Sequence, residues 1–344
     1  MSGVFYRHTV WNSETSEYEK HRIPGMIVTG RGTVIVYNEA RLTPGDWARM
    51  DIFAQRSEDQ GRTFGERIDL ARSDERVQTV NNPVMVEDGK GRIHFLYCEN
   101  YGISGGRMLH RVSTDDGVTW SAAQDVTPAT LPYYRNAFAF GPGHGIRTDA
   151  GALIVPVWFV PKCYAQAEHS HNPSVISTFY SLDDGESWQL GDIIKGSESV
   201  VSPNETEVTL TRDGCVYLNA RNHSHYRAAA YSPNGYSGWT DLKLDLALEG
   251  AICFGSCVTY RDARRQAILM GHCACLTDRK QVTVEVSFDD GRTWAHKKLL
   301  DAEHGGYVEM AVDSARGLIY VLYEEDWGAQ CHLNAFDFDW LMQA

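Results

Sequence analysis

The sequence contains no apolar run approaching the roughly 20 residues that a membrane span needs. Its first twenty residues, MSGVFYRHTVWNSETSEYEK, also lack the apolar stretch of a secretion signal. A soluble, cytoplasmic chain without membrane insertion is expected. Clusters of lysine and arginine are absent too. With 32 basic against 45 acidic residues the formal charge is −13, which makes nucleic acid and anionic membrane poor partners. A small anion remains admissible, because a few arginines converging in a cleft set the local potential whatever the total charge. Cysteine is sparse. The eight residues at 98, 163, 215, 253, 257, 273, 275 and 331 fit neither a zinc ribbon nor a secreted disulfide scaffold, so mostly buried free thiols are expected, with Cys273 and Cys275 the pair to watch. Helical periodicity is weak, and nothing reads as a linker.

What is present is repetition. A glycine-containing turn followed by an apolar, β-branched or aromatic run recurs as GTVIVY (32–37), GRIHFLYC (91–98), GALIVPVWFV (151–160), GCVYLNAR (214–221), RQAILMG (265–271) and GLIYVLYEE (317–325). The copies start 59, 60, 63, 51 and 52 residues apart. Between them falls a second element: SEDQGRTF (57–64), STDDGVTW (113–120), SLDDGESW (181–188), a degenerate SPNGYSGW (232–239) and SFDDGRTW (287–294). In each, the Asp can accept from backbone N–H groups of its own turn, the Gly supplies a left-handed conformation and the aromatic packs below, so these are structural hairpin turns. Strands and hairpin turns at a period of about 50 to 60 residues imply radial repetition. The fold class expected is therefore all-β, a six-bladed β-propeller forming one unit over residues 1–344. The sixth copy has no turn box before the chain ends. Its blade is expected to borrow an outer strand from VFYRHTVW (4–11), with AFDFDW (335–340) beside it.

Two histidine pairs, His169 with His171 and His223 with His225, have the i, i+2 spacing that puts both rings on one face of a strand. Neither has a matching third ligand nearby in sequence, and no metal is expected there. NYGISGGR is not followed by a helix pattern and is a weak phosphate cradle.

HRIPGM (21–26) puts an arginine directly ahead of an apolar, proline-fixed turn. The turn boxes together with HRIP (21–24) resemble the exo-sialidases, glycosidases built on a six-bladed propeller whose turn repeat is called the Asp-box. The resemblance covers essentially the whole chain. GPGHG (141–145), LNAR (218–221) and LYE (322–324) look like cytosolic animal-type and bacterial members. A sialoside carries a carboxylate on its anomeric carbon, and a guanidinium fork suits that anion. By resemblance, Arg22, Arg221 in LNARNH and Arg279 in DRKQVTVEVSFDDG would hold it. The nucleophile would be Tyr307 in HGGYVEM, since a neutral phenol avoids the repulsion that a carboxylate would meet beside the substrate's own. Glu205 in SPNETEV would assist it, with Glu207 on the same facing parity as competitor. Glu324 in VLYEED would hold Arg22 in position, with Glu325 facing the other way.

The family's acid/base aspartate follows a loop arginine. Here Arg41 matches the arginine and would be a further substrate contact, and Asp46 is preferred to Asp51, which begins a strand. Specificity would come from VNNPVM (80–85), NYGISGG (100–106), YYRNAF (133–138) and WFVPK (158–162). The animal-type members carry a glutamate in the region of NYGISGG that this chain lacks, although Glu99 is near.

The expected activity is retaining hydrolysis of terminal sialic acid from sialylated glycans or small sialosides, through a tyrosyl intermediate and without cofactor or metal. Two alternatives stay open. One is the same machinery acting on Kdn or Kdo, since the arginines read only the carboxylate. The other is a non-catalytic propeller that binds anionic glycans.

Overall fold

The computed structural model describes residues 4–100, 106–127, 134–161 and 171–343. Among these residues the strands form six sheets, the blades of a β-propeller. From innermost to outermost strand, blade 1 comprises Lys20–Val28, Val34–Arg41, Met50–Ser57 and Ile68–Ala71. Blade 2 comprises Val80–Glu87, Ile93–Glu99, Arg107–Ser113 and Gln124–Asp125. Blade 3 comprises Tyr134–Phe140, Leu153–Pro161, Val175–Ser181 and Gln189–Leu190. Blade 4 comprises Thr206–Leu210, Val216–Ala220, Tyr226–Ser232 and Lys243–Glu249. Blade 5 comprises Ser256–Arg261, Gln266–Cys273, Val282–Ser287 and His296–Asp301. Blade 6 comprises Val308–Asp313, Leu318–Glu325, Gln330–Asp337 and, outermost, Phe5–Asn12. Among the described residues no helix is long and apolar enough to cross a membrane.

The six repeated apolar runs are the second strands of the six blades. Each is covered on both faces by neighbouring blades, and Val34–Arg41 is buried at every position. This explains why these runs read as continuous rather than alternating hydrophobic stretches. The turn boxes join third to fourth strands. In the first, Asp59 accepts from the Arg62 and Thr63 N–H groups at 3.0 and 2.9 Å and from the Thr63 hydroxyl at 2.7 Å, while the Gly61 N–H reaches the Ser57 hydroxyl at 2.8 Å. Those bonds hold the Asp59 carboxyl down at about 2. Asn234 takes the aspartate's place in the degenerate box and accepts from the Tyr236 and Ser237 N–H groups.

Phe5–Asn12 pairs antiparallel with Gln330–Asp337, so the N-terminal segment closes the last blade as expected. The AFDFDW stretch differs in part. Only its first three residues are strand, and Asp337 caps a four-residue helix, Phe338–Leu341. A second departure concerns HRIPGM, which reads as a turn but lies inside the innermost strand of blade 1. The register shifts between Arg22 and Gly25, and Ile23 adopts φ 54°. It is a bulge, which re-aims the side chains beside it. The seven described cysteines are free, five of them buried, and Cys163 lies outside the described residues.

The seam between blades 1 and 6 is packed by Trp11, which is 5% exposed and meets Phe53 of blade 1 edge-on at 6.1 Å. Its indole N–H donates to Gln55 at 2.7 Å. Trp11→Ala is expected to lower unfolding free energy by about 3–5 kcal/mol in urea denaturation. A loss below about 1 kcal/mol would show that the closing strand is not anchored there.

Candidate active site

The starts of the innermost strands and the ends of the second strands meet at one mouth of the ring. Arg22, Asn82, Glu205 and Tyr307 come from the former positions, and Arg41, Trp158, Arg221 and Glu324 from the latter. Loops joining second to third strands add Asp46, Arg279 and Trp327 at the same mouth. Most of these groups line a cavity of about 130 Å3, with Glu324 behind it.

Glu324, fully buried, organises one side. Its Oε1 accepts from Arg22 Nε at 3.2 Å and from the Ile23 N–H at 2.8 Å, and its Oε2 accepts from Arg22 Nη2 at 3.3 Å and from the Tyr307 N–H at 3.2 Å. The Ile23 bulge turns that N–H and the Arg22 side chain toward the same carboxylate. Arg22 stays charged although burial opposes it, because Glu324 more than compensates.

The Tyr307 hydroxyl donates to Glu205 Oε1, and Arg221 Nη1 lies against both Glu205 Oε2 and the Tyr307 oxygen, the latter at 3.1 Å. Burial first, and then the Glu205 charge, hold the Tyr307 phenol well above its ordinary range against the pull of Arg221, Arg279 and Arg22. The resting hydroxyl is therefore neutral. Two guanidinium atoms, Arg221 Nε and Arg279 Nη1, are buried without a hydrogen-bond partner among the described residues. Arg279 instead stacks over the Trp327 ring at 4.2 Å, and Arg22 sits over the same ring at 5.5 Å. Guanidinium N–H donors thus remain beyond those that the local carboxylates take up, so the pocket suits an anion with several acceptor atoms.

On the opposite wall Arg41 is clamped by Glu39, whose Oε2 accepts from Nε at 3.0 Å and Nη2 at 2.6 Å, while Glu39 Oε1 takes the Asn82 N–H at 2.7 Å. Arg41 Nη1 reaches Asp46 at 2.7 Å, and Arg22 lies 4.0 Å from the same oxygen. Asp46 is the open member, with its side chain 47% exposed against 3% for Arg41. Its burial works to raise its pKa, but Arg41, by charge and hydrogen bond, and then Arg22 more than offset this and hold the carboxyl below its usual range.

All eight residues singled out from the sequence meet here, and the two competitors do not. Asp51 accepts from Tyr18 at 2.6 Å and from the Ser73 N–H and hydroxyl at 2.7 and 2.9 Å, tying blade 1 to its outer connection. Glu207 faces the channel as its parity implies, but deeper, against His144. Burial pushes its carboxyl well up, with His144 opposing the shift. Of the expected specificity segments, Asn82 and Trp158 line the cavity, and Glu99 is paired with Arg107. Residues 101–105, Tyr133 and Lys162 lie outside the described residues. So does His169, whereas its companion His171 is at the pocket wall between Trp47 and Trp158.

Sequence reasoning missed Glu39, Asn204 and Trp327. Glu39 was legible in principle, since its i, i+2 spacing to Arg41 puts both on one strand face. Trp327 sits in a loop with φ 57° and offers no sequence signal.

A family model described as a BNR repeat-like domain matches residues 70–321. A sialidase of Micromonospora viridifaciens is 28% identical over 338 residues, covering 88% of this chain and 50% of that protein. Sialidase-2 of Cricetulus griseus is 29% identical over 282 residues, covering 74% and 72% respectively. The chain therefore spans half the length of the first of these relatives. Among solved structures, the Hadza microbial sialidase Hz136 shares the fold with a TM-score of 0.86 at 21% identity, over 98% of this chain and 69% of that one. With well over half of its residues inside the family match, the chain belongs to the BNR repeat-like domain family, and the relatives it resembles are sialidases.

Proposed function

We propose that this propeller is a retaining exo-sialidase, a glycoside hydrolase that removes terminal sialic acid from α-sialosides, with the whole chain acting as one catalytic unit. The observation that carries this reading is the Tyr307 hydroxyl, bonded to Glu205 and Arg221 beside Arg22 and Arg279. A structural tyrosine has no need of a carboxylate at its oxygen inside a cluster of arginines. An anion-binding module would need the arginines but not the Tyr–Glu pair.

In this mechanism the substrate carboxylate docks on Arg22, Arg221 and Arg279, taking up the unpartnered N–H groups. As the glycosidic bond loosens, Tyr307 Oη forms a bond to the anomeric carbon while its proton passes to Glu205. Asp46 gives its proton to the departing oxygen, and as a carboxylate it then activates the water that cleaves the tyrosyl intermediate. Arg41 and Glu324 position their neighbours, Arg41 through Asp46 and Glu324 through Arg22.

Asp46 must be protonated to act as acid, yet in the free protein it is held below the usual carboxylate range. The substrate's negative charge resolves this, because, docked on Arg22, it offsets one of the two arginines that depress Asp46 and so raises its pKa in the complex. The sign follows. Protonated Asp46 is lost as pH rises, so kcat/KM, which reports the free protein, should decline at lower pH than kcat, which reports the complex. Coincident alkaline limbs for a sialoside with an alcohol leaving group would sink this assignment.

Release of a fluorescent phenol from its α-sialoside, beside the Kdn and Kdo glycosides, tests the activity directly. Turnover of the sialoside is expected, and Tyr307→Phe should lower kcat by on the order of 10³-fold or more. A variant that keeps full turnover would remove Tyr307 as nucleophile. Asp46→Asn should lose roughly 10²- to 10⁴-fold in kcat/KM on alkyl leaving groups and much less in kcat/KM on a phenol, which departs without protonation, while kcat on the phenol falls because the same carboxylate activates the water. Glu324→Gln leaves Arg22 short of a buried counter-charge, and thermal unfolding should show a loss of about 3 kcal/mol beside a raised KM.

A further inference from the structure

Below the pocket, the segment Gly143–His144 runs parallel to the innermost strand of blade 2 on its channel side. It carries His144 between two fully buried carboxylates from other parts of the ring, Glu207 of blade 4 and Glu309 of blade 6. His144 Nδ1 lies 2.6 Å from Glu309 Oε1 and 3.5 Å from Glu207 Oε2. One ligand atom from each of the three falls within 4.8 Å of the others. Glu207 is also met by the His144 and Val208 N–H groups, at 3.3 and 3.2 Å. Glu309 Oε2, however, is buried without a hydrogen-bond partner among the described residues. It shares its surroundings with Glu207 Oε2, since a Cβ on Gly143 would overlap both oxygens.

Neither carboxylate has a lysine or arginine partner among the described residues. Two buried carboxylates facing one space without a cation are costly, because desolvation and mutual repulsion act together. At the mouth opposite the candidate active site, a cavity of about 380 Å3 has His144 on its wall with Thr209, Thr259 and Met310, while Glu207 and Glu309 lie buried behind it. Phe254 separates it from the catalytic candidates, with its ring 5.5 Å from that of Tyr307 and its edge against Gly143.

We propose that His144, Glu207 and Glu309 form an axial site for a first-row divalent cation such as Zn2+ or Mn2+, which ties blades 2, 4 and 6 together across the channel. One imidazole nitrogen with carboxylate oxygens is a donor set for such ions, whereas Ca2+ would require about six to eight oxygens. The ion neutralises the facing carboxylates, gives Glu309 Oε2 a partner and stays clear of the sialoside pocket. Its role is structural.

The test uses the full chain, stripped with a chelator and titrated with Zn2+ or Mn2+ while thermal unfolding and bound metal are measured. One equivalent per chain is expected, with a rise in Tm of about 4 °C or more at a hundredfold excess over Kd. Glu309→Gln and Glu207→Gln should abolish both effects. Stripped protein that binds no metal overturns the proposal, as does binding that survives both substitutions, which would place the ion elsewhere, for example at His304, Glu325 and Asp326. Should neither variant fold, Co2+ added to the His304→Gln chain, which lacks the imidazole of that other cluster, decides the matter. Visible absorption with paramagnetically shifted signals from a single imidazole is expected, and their absence overturns the proposal.

Discussion

The buried carboxylate of Glu324 is the contact on which the rest of the candidate site depends. It belongs to the second strand of the last blade, yet two of its four hydrogen bonds come from the Arg22 side chain and a third from the Ile23 N–H, both in the first blade. The fourth comes from the Tyr307 N–H. One side chain therefore sets the first guanidinium, the backbone of the candidate nucleophile and the spacing between the two blades at which the ring closes. Such a buried pair adds little net stability compared with apolar packing, but losing one member strands a charge. Its value lies in register. Blades 1 and 6 cannot slide against each other without breaking the three bonds from Arg22 and Ile23.

Around that fixed point the electrostatics divide into two halves. On one side Arg22 has a dedicated carboxylate while Arg221 shares Glu205 with Tyr307 and the Arg279 guanidinium is paired, among the described residues, only with aromatic rings, which leaves donors available to a ligand. On the other side Glu39 absorbs two donors of Arg41 and leaves a third for Asp46. Among the charged groups of the described site only Asp46 is substantially exposed, which suits a group that must meet both a leaving group and water.

The repeat was legible because each blade solves the same packing problem. Both faces of its second strand are covered, so the run is apolar throughout, and the hairpin after the third strand needs the same Ser-x-Asp-x-Gly chemistry each time. Ring closure by the N-terminal segment was legible by subtraction, since the sixth repeat lacked a turn box. Within the site, parity placed Glu205 and Glu207 correctly on one face but could not give depth. Glu205 precedes the first strand residue and stands at the mouth, whereas Glu207 is one pleat further down the channel. Trp327 and the grouping of His144, Glu207 and Glu309 were not legible at all. They depend on how loops and blades distant in sequence are brought together, and local pattern carries no trace of that. The HRIP bulge shows the same limit from the other direction, because proline and glycine read as a turn where pairing with the neighbouring strand keeps the segment in the sheet.

The closing of blade 6 by Phe5–Asn12 has a consequence for biosynthesis. Arg22 leaves the ribosome 302 residues ahead of Glu324, and the strand Gln330–Asp337 that receives Phe5–Asn12 comes later still. Until then the first strand has no partner, and the guanidinium has no carboxylate. Blades can form in order as they emerge, but the pocket cannot. A chain interrupted before Glu324 would be a set of sheets with an open edge and no organised anion site, so the making of the sixth blade and competence to bind are read out by the same few hydrogen bonds.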